Sequence, residues 1–487
     1  MGVLLLFNGA FMLISSLVSL LYQDGQTFSL FMAAAFTLTV GILLMIIFRN
    51  HTKQLNKREG YLVVSLGWLL MTLSGMLPYL LTGVFSEVSS AFFETMSGYT
   101  TTGSSVLADI EVVPKGVLFW RSTTHWIGGM GIIVLAIAIL PLLGIGGMQL
   151  FTAEAPGPSS DKLHPRITDT AKRLWFIYLS FTLVETLLLW LAGMNFFDAI
   201  NHAMSTVSTG GFSTKNASVA YWNDQPFIQY IIICFMFLAG INFVLSYFAL
   251  TGKIKKVFQD EEFRFYSRMV FTASVMVGAI LFFNADLEAV NSFEHPQVFG
   301  KAESAFRHAF FQVIAVITTT GFATSDFTLW TPLLTLLFFG LMFFGGSAGS
   351  TSGGIKGVRH YLMIKSGFIE FNRALHPNAV LQIRYNNALV QEKVIQNIYG
   401  FFILYMLSFI IGALGFSAIG LDFISAIGVA ASSLGNVGPA LGDYGPSFSF
   451  FAMSAAGKWW ASFLMLLGRL ELFTVLILFT PFFWKKI

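Results

Sequence analysis

The residues in this chain best suited to chemistry are four short polar runs in an apolar background. They read "YTTTGSS", "VSTGGFS", "ITTTGFA" and "LGNVGPA". Each holds a tetrad: Thr100, Thr101, Thr102 and Gly103; Ser208, Thr209, Gly210 and Gly211; Thr318, Thr319, Thr320 and Gly321; Gly435, Asn436, Val437 and Gly438. The closing glycines are 108, 110 and 117 residues apart. Carbonyl oxygens arranged in rings replace the hydration shell of a dehydrated cation in a pore. Threonine and serine add hydroxyls, and glycine in fourth place lets the backbone turn without a Cβ in the way. One such run would be read as small residues mediating helix packing. Four at matching places point to a lined ion pathway.

Each run follows a short helical pattern: "EVSSAFFETMSG", "NFFDAINHAMST", "ESAFRHAFFQVIAV" and "LDFISAIGVAASS". Each is followed by a new apolar helix. A period of this kind defines a repeat, here helix, half-helix, polar loop, helix. Non-helical backbone survives at membrane depth only where protein buries it or water bathes it. Four re-entrant loops around one axis satisfy that condition.

The elements that must position these loops are membrane helices. The 487 residues are 55% hydrophobic and 11% charged, against about 25% charged in soluble domains. Apolar segments near the roughly 20 residues a span needs occur at 2–21, 28–48, 60–83, 117–142, 173–194, 227–250, 267–284, 332–360, 395–417 and 459–484. Ten spans put both termini on one side. The fold expected is an all-α polytopic membrane protein with an N-terminal helix pair over 1–59. Four pore repeats follow, over 60–143, 144–251, 252–365 and 366–487. The first segment lacks a positive leader and a cleavage site, so it reads as a retained helix.

Charge orients the chain. One face carries 21 of the 28 Lys and Arg and nine acids; the other carries six basic residues and 14 acids. Basic loops stay cytoplasmic, so both termini are expected inside. An acidic outer face would concentrate cations at the mouth. The single cysteine, Cys234, excludes an intrachain disulfide and a multi-cysteine metal site.

Two further features sit below the third loop. The stretch 345–354, Gly345, Gly346, Ser347, Ala348, Gly349, Ser350, Thr351, Ser352, Gly353 and Gly354, interrupts an apolar segment. Each Gly costs a helix about 1 kcal/mol against Ala, so the helix is expected to break here and the loop to obstruct the pore. It lacks the residue order of a phosphate-binding loop. Arg469 lies in the last apolar segment, "FLMLLGRLELF". A cation there must face a cavity or a partner; Arg469 is placed in the pore near the 345–354 loop, with a buried Arg–Glu pair as the alternative.

The four loops, with "WIGGMGIIVLAIAILPLLGIGGMQL", "AEAPGP", "HPRI", "GGSAGSTSGGIK", "HPNAV" and "GRLELFTVLILFTP", resemble the Trk/Ktr/HKT superfamily of potassium transporters, and within it the bacterial TrkH/TrkG membrane-subunit branch. The resemblance spans nearly the whole chain. It implies a pseudo-fourfold pore in one chain, with potassium ions held at Thr101 and Thr102, Thr209 and Gly210, Thr319 and Thr320, and Asn436 and Val437. It also implies no covalently bound cofactor. Gly103, in place of the serine that sodium-preferring members often carry, points to potassium. By the same resemblance 345–354 is an intramembrane gate and Arg469 faces the pore. The family works as a homodimer in the bacterial inner membrane with a TrkA-like nucleotide-binding regulatory ring in the cytoplasm. The fourth loop departs most from the Thr-rich pattern.

Other polar residues have simpler readings. His125 packs at a helix start; Glu94 and Asp198 favour a helix N-terminus or hold the filter. His164, Arg166 and the run Lys253–Lys256 obey the insertion rule or dock a cytoplasmic subunit. Within the class, a sodium or mixed-cation transporter is the rival. A membrane-embedded lipid-modifying enzyme would need clustered acids or histidines at one membrane level, and none is found. A purely structural subunit would not need four aligned polar loops. The residues leave passive conduction and proton- or sodium-coupled symport both open.

Overall fold

Backbone in lipid has only itself to bond with, so apolar runs must close their hydrogen bonds as helices. The structure is a computed structural model describing residues 1–49, 57–134, 167–284, 293–379 and 381–485. His164, Arg166, "AEAPGP" and the stretch 135–150 lie outside the described residues.

Helices α1 (Gly2–Tyr22) and α2 (Thr27–Ile47) pair at the N-terminus. Gly9 permits the close approach, since a Cβ there would lie 2.6 Å from Leu38 Cγ. The first repeat is α3 (Lys57–Gly75) with α4 (Leu77–Leu81), the half-helix α5 (Val88–Tyr99), and α6 (Lys115–Val134). The second is α7 (Ile167–Leu191), α8 (Phe196–Val207), and α9 (Pro226–Ala239) with α10 (Phe243–Leu250). A short inner helix, α11 (Ile254–Gln259), leads to the third: α12 (Glu261–Asn284), α13 (Lys301–Ile317) and α14 (Pro332–Leu341). Helix α15 (Gly357–Leu375) and a hairpin of β1 (Arg384–Tyr385) and β2 (Ala388–Leu389) connect to the fourth. That repeat is α16 (Glu392–Ile419), α17 (Phe423–Gly435) and α18 (Ala455–Arg469), followed by α19 (Phe473–Leu476) and α20 (Pro481–Trp484). The hairpin turns on Asn386 and Asn387 at φ 46° and 66°, the left-handed pair a two-residue turn requires.

Among the described residues six helices are long and apolar enough to cross a membrane, or eight if each of two bent pairs is one span. Of the other two expected spans, 117–142 is described as α6 only to Val134, and 332–360 is broken as expected, α14 ending at Leu341. Two expected continuous spans are also broken: α9 and α10 meet at 109°, and α18 and Phe473–Phe479 at 112°. Asn242 supplies the reason for the first, because its side chain caps α10 by accepting from Val244 N at 2.8 Å. At the second, Glu471 and Leu472 take φ of 56° and 42°.

In repeats one, two and four the helix leaving the tetrad loop packs on the next half-helix: α6 on α8, α9 on α13, and α18 back on α5. Apolar side chains such as Ile403, Leu407, Ile410 and Leu414 of α16 face outward while Tyr405, Ser408 and Gly412 are buried. Polar residues crowd the interior, with the tetrad threonines wholly buried. A lipid-facing surface allows this inversion because apolar side chains lose nothing there.

Candidate functional site

The four half-helices end in one backbone motif. The second residue of each tetrad donates to the carbonyl three residues back: Thr101 to Gly98 at 3.0 Å, Thr209 to Thr206 at 2.9 Å, Thr319 to Val316 at 3.0 Å, Asn436 to Ser433 at 3.4 Å. The third donates five residues back: Thr102 to Ser97, Gly210 to Ser205, Thr320 to Ala315 and Val437 to Ser432, all at 2.8–2.9 Å. This double bond is the Schellman cap, which needs a left-handed second residue. Thr101, Thr209, Thr319 and Asn436 have φ of 51°, 54°, 56° and 55°. Asparagine adopts that conformation readily, but a β-branched residue there is an outlier. Thr100, Ser208 and Thr318 cap their helices, whereas Gly435 is the last helical residue of α17.

The closing glycines join the loops into a ring. Gly103, Gly211, Gly321 and Gly438 have φ of 85°, 82°, 73° and 104°. A Cβ on Gly103 would lie 2.1 Å from the carbonyl oxygen of Gly210, and one on Gly211 2.0 Å from that of Thr320. On Gly321 it would lie 2.1 Å from that of Val437, and on Gly438 2.6 Å from that of Thr102. The third-position carbonyl of every tetrad is thus pressed against the glycine of its neighbour, around a closed circuit. Asn436 Nδ2 adds a bond to Thr102 Oγ1 at 3.0 Å across the junction of repeats four and one. Half-helix C-termini carry the negative end of the helix dipole, and four of them converge on this ring.

Side chains behind the ring hold it. Glu94 accepts from Arg121 Nε at 2.6 Å, Ser105 Oγ at 2.9 Å and Val106 N at 2.8 Å. Arg121 also donates to Ser213 O at 2.9 Å and lies over the Phe212 ring, so one buried pair ties loop one to loop two. Asp198 accepts from Thr214 Oγ1 at 2.6 Å. Both acids therefore bond to the loops that follow the tetrads. Three residues that the sequence left without this role do the same. His202 Nε2 meets Ser213 Oγ at 2.9 Å, His308 Nδ1 meets Thr324 Oγ1 at 2.9 Å, and Gln312 donates to Ser325 O at 3.0 Å. His125 stacks on Phe212 at 3.8 Å, the packing role expected of it.

The interrupted loop lies beneath. Gly353 N donates to Thr319 Oγ1 at 2.6 Å, joining the loop to the third tetrad. Ser347 N donates to Gly240 O at 2.8 Å, and Thr351 Oγ1 to Val207 O and Ala239 O at 3.1 and 3.3 Å. These bonds satisfy carbonyls orphaned where α8 and α9 stop. The buried Glu262 carboxyl accepts from Ala348 N at 2.8 Å, within the loop, and from Val358 N at 2.9 Å, just beyond it. Arg469 donates to Thr351 O at 2.8 Å and Gly128 O at 3.4 Å. It sits at the end of α18, not inside a continuous helix, and it meets the loop as expected. The alternative, a buried Arg–Glu pair between helices, is not formed by Arg469 among the described residues; the nearby Glu471 pairs with Arg359. Glu262 was missed; its signal is the "DEE" triplet 260–262 on an otherwise basic face.

Above the ring is a cavity of about 370 Å³ bordered by all four closing glycines. The described residues lining it include Arg121 and Lys215 and no carboxylate. Asp109 and Glu111 approach it only through Asn216 and Lys215, with Asn216 Nδ2 2.7 Å from Asp109 Oδ1. The acidic outer face expected from charge counting thus does not line the cavity itself.

Known proteins are similar to this chain in sequence and fold. A family model described as "TrkH: Cation transport protein" matches residues 26–486. The Trk system potassium uptake protein TrkH of Escherichia coli K12 is 41% identical over 99% of this chain and 97% of its own length. The TrkG protein of the same organism is 34% identical over 98% and 95%. The crystal structure of the potassium transporter TrkH from Vibrio parahaemolyticus superposes with a TM-score of 0.88 at 38% identity, covering 99% of this chain and 98% of that one.

Proposed function

The chain belongs to the TrkH family of cation transport proteins, a multi-pass membrane transporter and not an enzyme, and from that premise we propose that it takes up potassium through the ring of tetrad carbonyls under control of the loop beneath. The observation that carries this reading is the closed circuit, in which each closing glycine abuts the third-position carbonyl of the next repeat. A dehydrated potassium ion passing the ring exchanges water for these carbonyls. Glycine at each place leaves the neighbouring carbonyl its position, because a Cβ there would press on that carbonyl and reshape the ring. The Schellman caps fix each loop to its own half-helix, so the ring keeps its diameter as ions pass.

Below the ring, Gly353, Thr351 and Arg469 stand in the path. The Arg469 guanidinium raises the energy of a cation beside it, and its bond to Thr351 O holds the loop across the pore. Opening requires the loop to leave Thr319, Gly240 and Glu262 together. On this reading the basic loops and both termini face the cytoplasm of a bacterium, across its inner membrane. The working unit is a homodimer regulated by a nucleotide-binding ring on that face.

The test is rubidium uptake into proteoliposomes against competing potassium, sodium and lithium, for the native chain and Gly103→Ser. Potassium is expected to compete strongly with the native chain, and sodium to compete far better with the variant. Absence of cation flux in both returns the four loops to helix packing.

A further inference from the structure

The outer cavity contains a fixed cation that the uptake reading does not use. Among the described residues two basic ones border it, Arg121 and Lys215. The charge of Arg121 is consumed: it is buried, bonded to Glu94 and Ser213 O, and covered by the Phe212 ring. Lys215 differs. Its ammonium stands 4.4 Å from the Tyr221 ring centroid and 3.7 Å from Glu111 Oε2, with 20% of the Lys215 side chain and 41% of the Glu111 side chain exposed. A pair that long and that wet is loosely held. The ring glycines border the same space.

We propose that Lys215 is a tethered cation in the outer mouth that sets the concentration at which the transported ion half-saturates uptake, with Glu111 opposing it. This rests on the potassium-uptake reading and assigns it an affinity determinant. A cleft lined by one sign of charge raises or lowers the local concentration of mobile ions. A unit charge about 10 Å from an ion, between bulk water and a protein surface, changes that concentration roughly two- to tenfold. The field acts equally on potassium, rubidium and sodium, so Lys215 sets affinity and leaves discrimination to the ring. Tyr221 and Glu111 keep the ammonium at the wall, where it repels ions without plugging the mouth.

The experiment places opposite charges on one side chain. The exposed native thiol is removed by Cys234→Ser, Lys215→Cys is added, and proteoliposomes are treated from outside with a methanethiosulfonate carrying either a sulfonate or a trimethylammonium group. At low ionic strength the two adducts differ by two unit charges, so the sulfonate adduct is expected to half-saturate at about four- to hundredfold lower rubidium than the trimethylammonium adduct. Potassium-over-sodium preference stays equal, and the gap narrows in impermeant salt because the charges are screened. Equal half-saturation for both adducts, or a gap indifferent to salt, overturns the proposal. Should the cysteine variant fail to assemble, Lys215→Gln against Lys215→Arg gives the same contrast, the arginine retaining native half-saturation. Uptake in the native chain with no charge dependence at 215 rejects only this assignment; no uptake in the native chain rejects the potassium reading itself.

Discussion

The carbonyl ring and the loop beneath it are both irregular backbone at membrane depth, but they satisfy their polar groups in opposite ways. Each tetrad bonds to its own half-helix within five residues, and the motif is repeated four times. The 345–354 loop is secured from afar: by Glu262, 86 residues before Ala348, by Gly240, and by Arg469, 118 residues after Thr351. Local, repeated bonding makes a part that cannot open without melting its helices. Scattered bonding makes a part that can let go of several neighbours at once without melting a helix. On the proposed function, the first property suits the ring to be a filter and the second suits the loop to be a gate.

The comparison breaks most severely at the ring. Gly211→Ala puts a methyl 2.0 Å from the Thr320 carbonyl oxygen at a φ of 82°, and the contact is to backbone, which cannot swing aside. Rubidium uptake is expected to fall more than tenfold, with loss of potassium-over-sodium preference in the remainder. Native preference in this variant would mean that the ring is not the discriminating element.

Next comes the loop. Glu262→Ala removes the two bonds that its Oε1 accepts from Ala348 N and Val358 N, each worth about 0.5–1.5 kcal/mol. Uptake is expected to rise about tenfold with selectivity unchanged, since the caps do not depend on Glu262. Arg469→Gln loses the bond to Thr351 O at 2.8 Å and the cationic barrier, and a severalfold rise is expected. If either variant alters ion preference as strongly as Gly211→Ala, filter and gate are one structure and the contrast fails.

The two regions also differed in legibility. Tetrads and half-helices were readable because the pattern recurs at nearly constant spacing and polar residues are costly in an apolar chain. The left-handed threonines were not readable, since β-branched residues disfavour that conformation and only tertiary closure imposes it. The loop's composition announced a break at 345–354, yet its fastenings are long-range and leave no local trace. The break at Gly240–Asn242 had a signal in the glycine and the capping asparagine. The break around Glu471 had none, because leucine and glutamate are ordinary helix residues, and the Glu471–Arg359 pair that accompanies it spans 112 positions. The empty promise of an acidic mouth has a similar cause: charge counting locates residues on a face, not around a cavity.

The smallest effect tests the strain within the ring. Thr101 sits at φ 51° with its hydroxyl buried and no hydrogen-bond partner among the described residues. Such a residue costs about 1–3 kcal/mol. Repeat four already carries the less strained choice, Asn436 at φ 55°. Thr101→Asn should therefore relieve part of the strain while leaving the cap bonds from Thr101 N and Thr102 N in place. A gain near 1 kcal/mol raises the melting temperature of a chain this size by only about 1–2 °C, read as thermal unfolding in detergent. Rubidium uptake and its competition by sodium should stay native, because the third-position carbonyls and closing glycines are untouched. A lower melting temperature would show that the threonine methyl packs better than its backbone is strained, and that the ring is held by side-chain contact as much as by its caps.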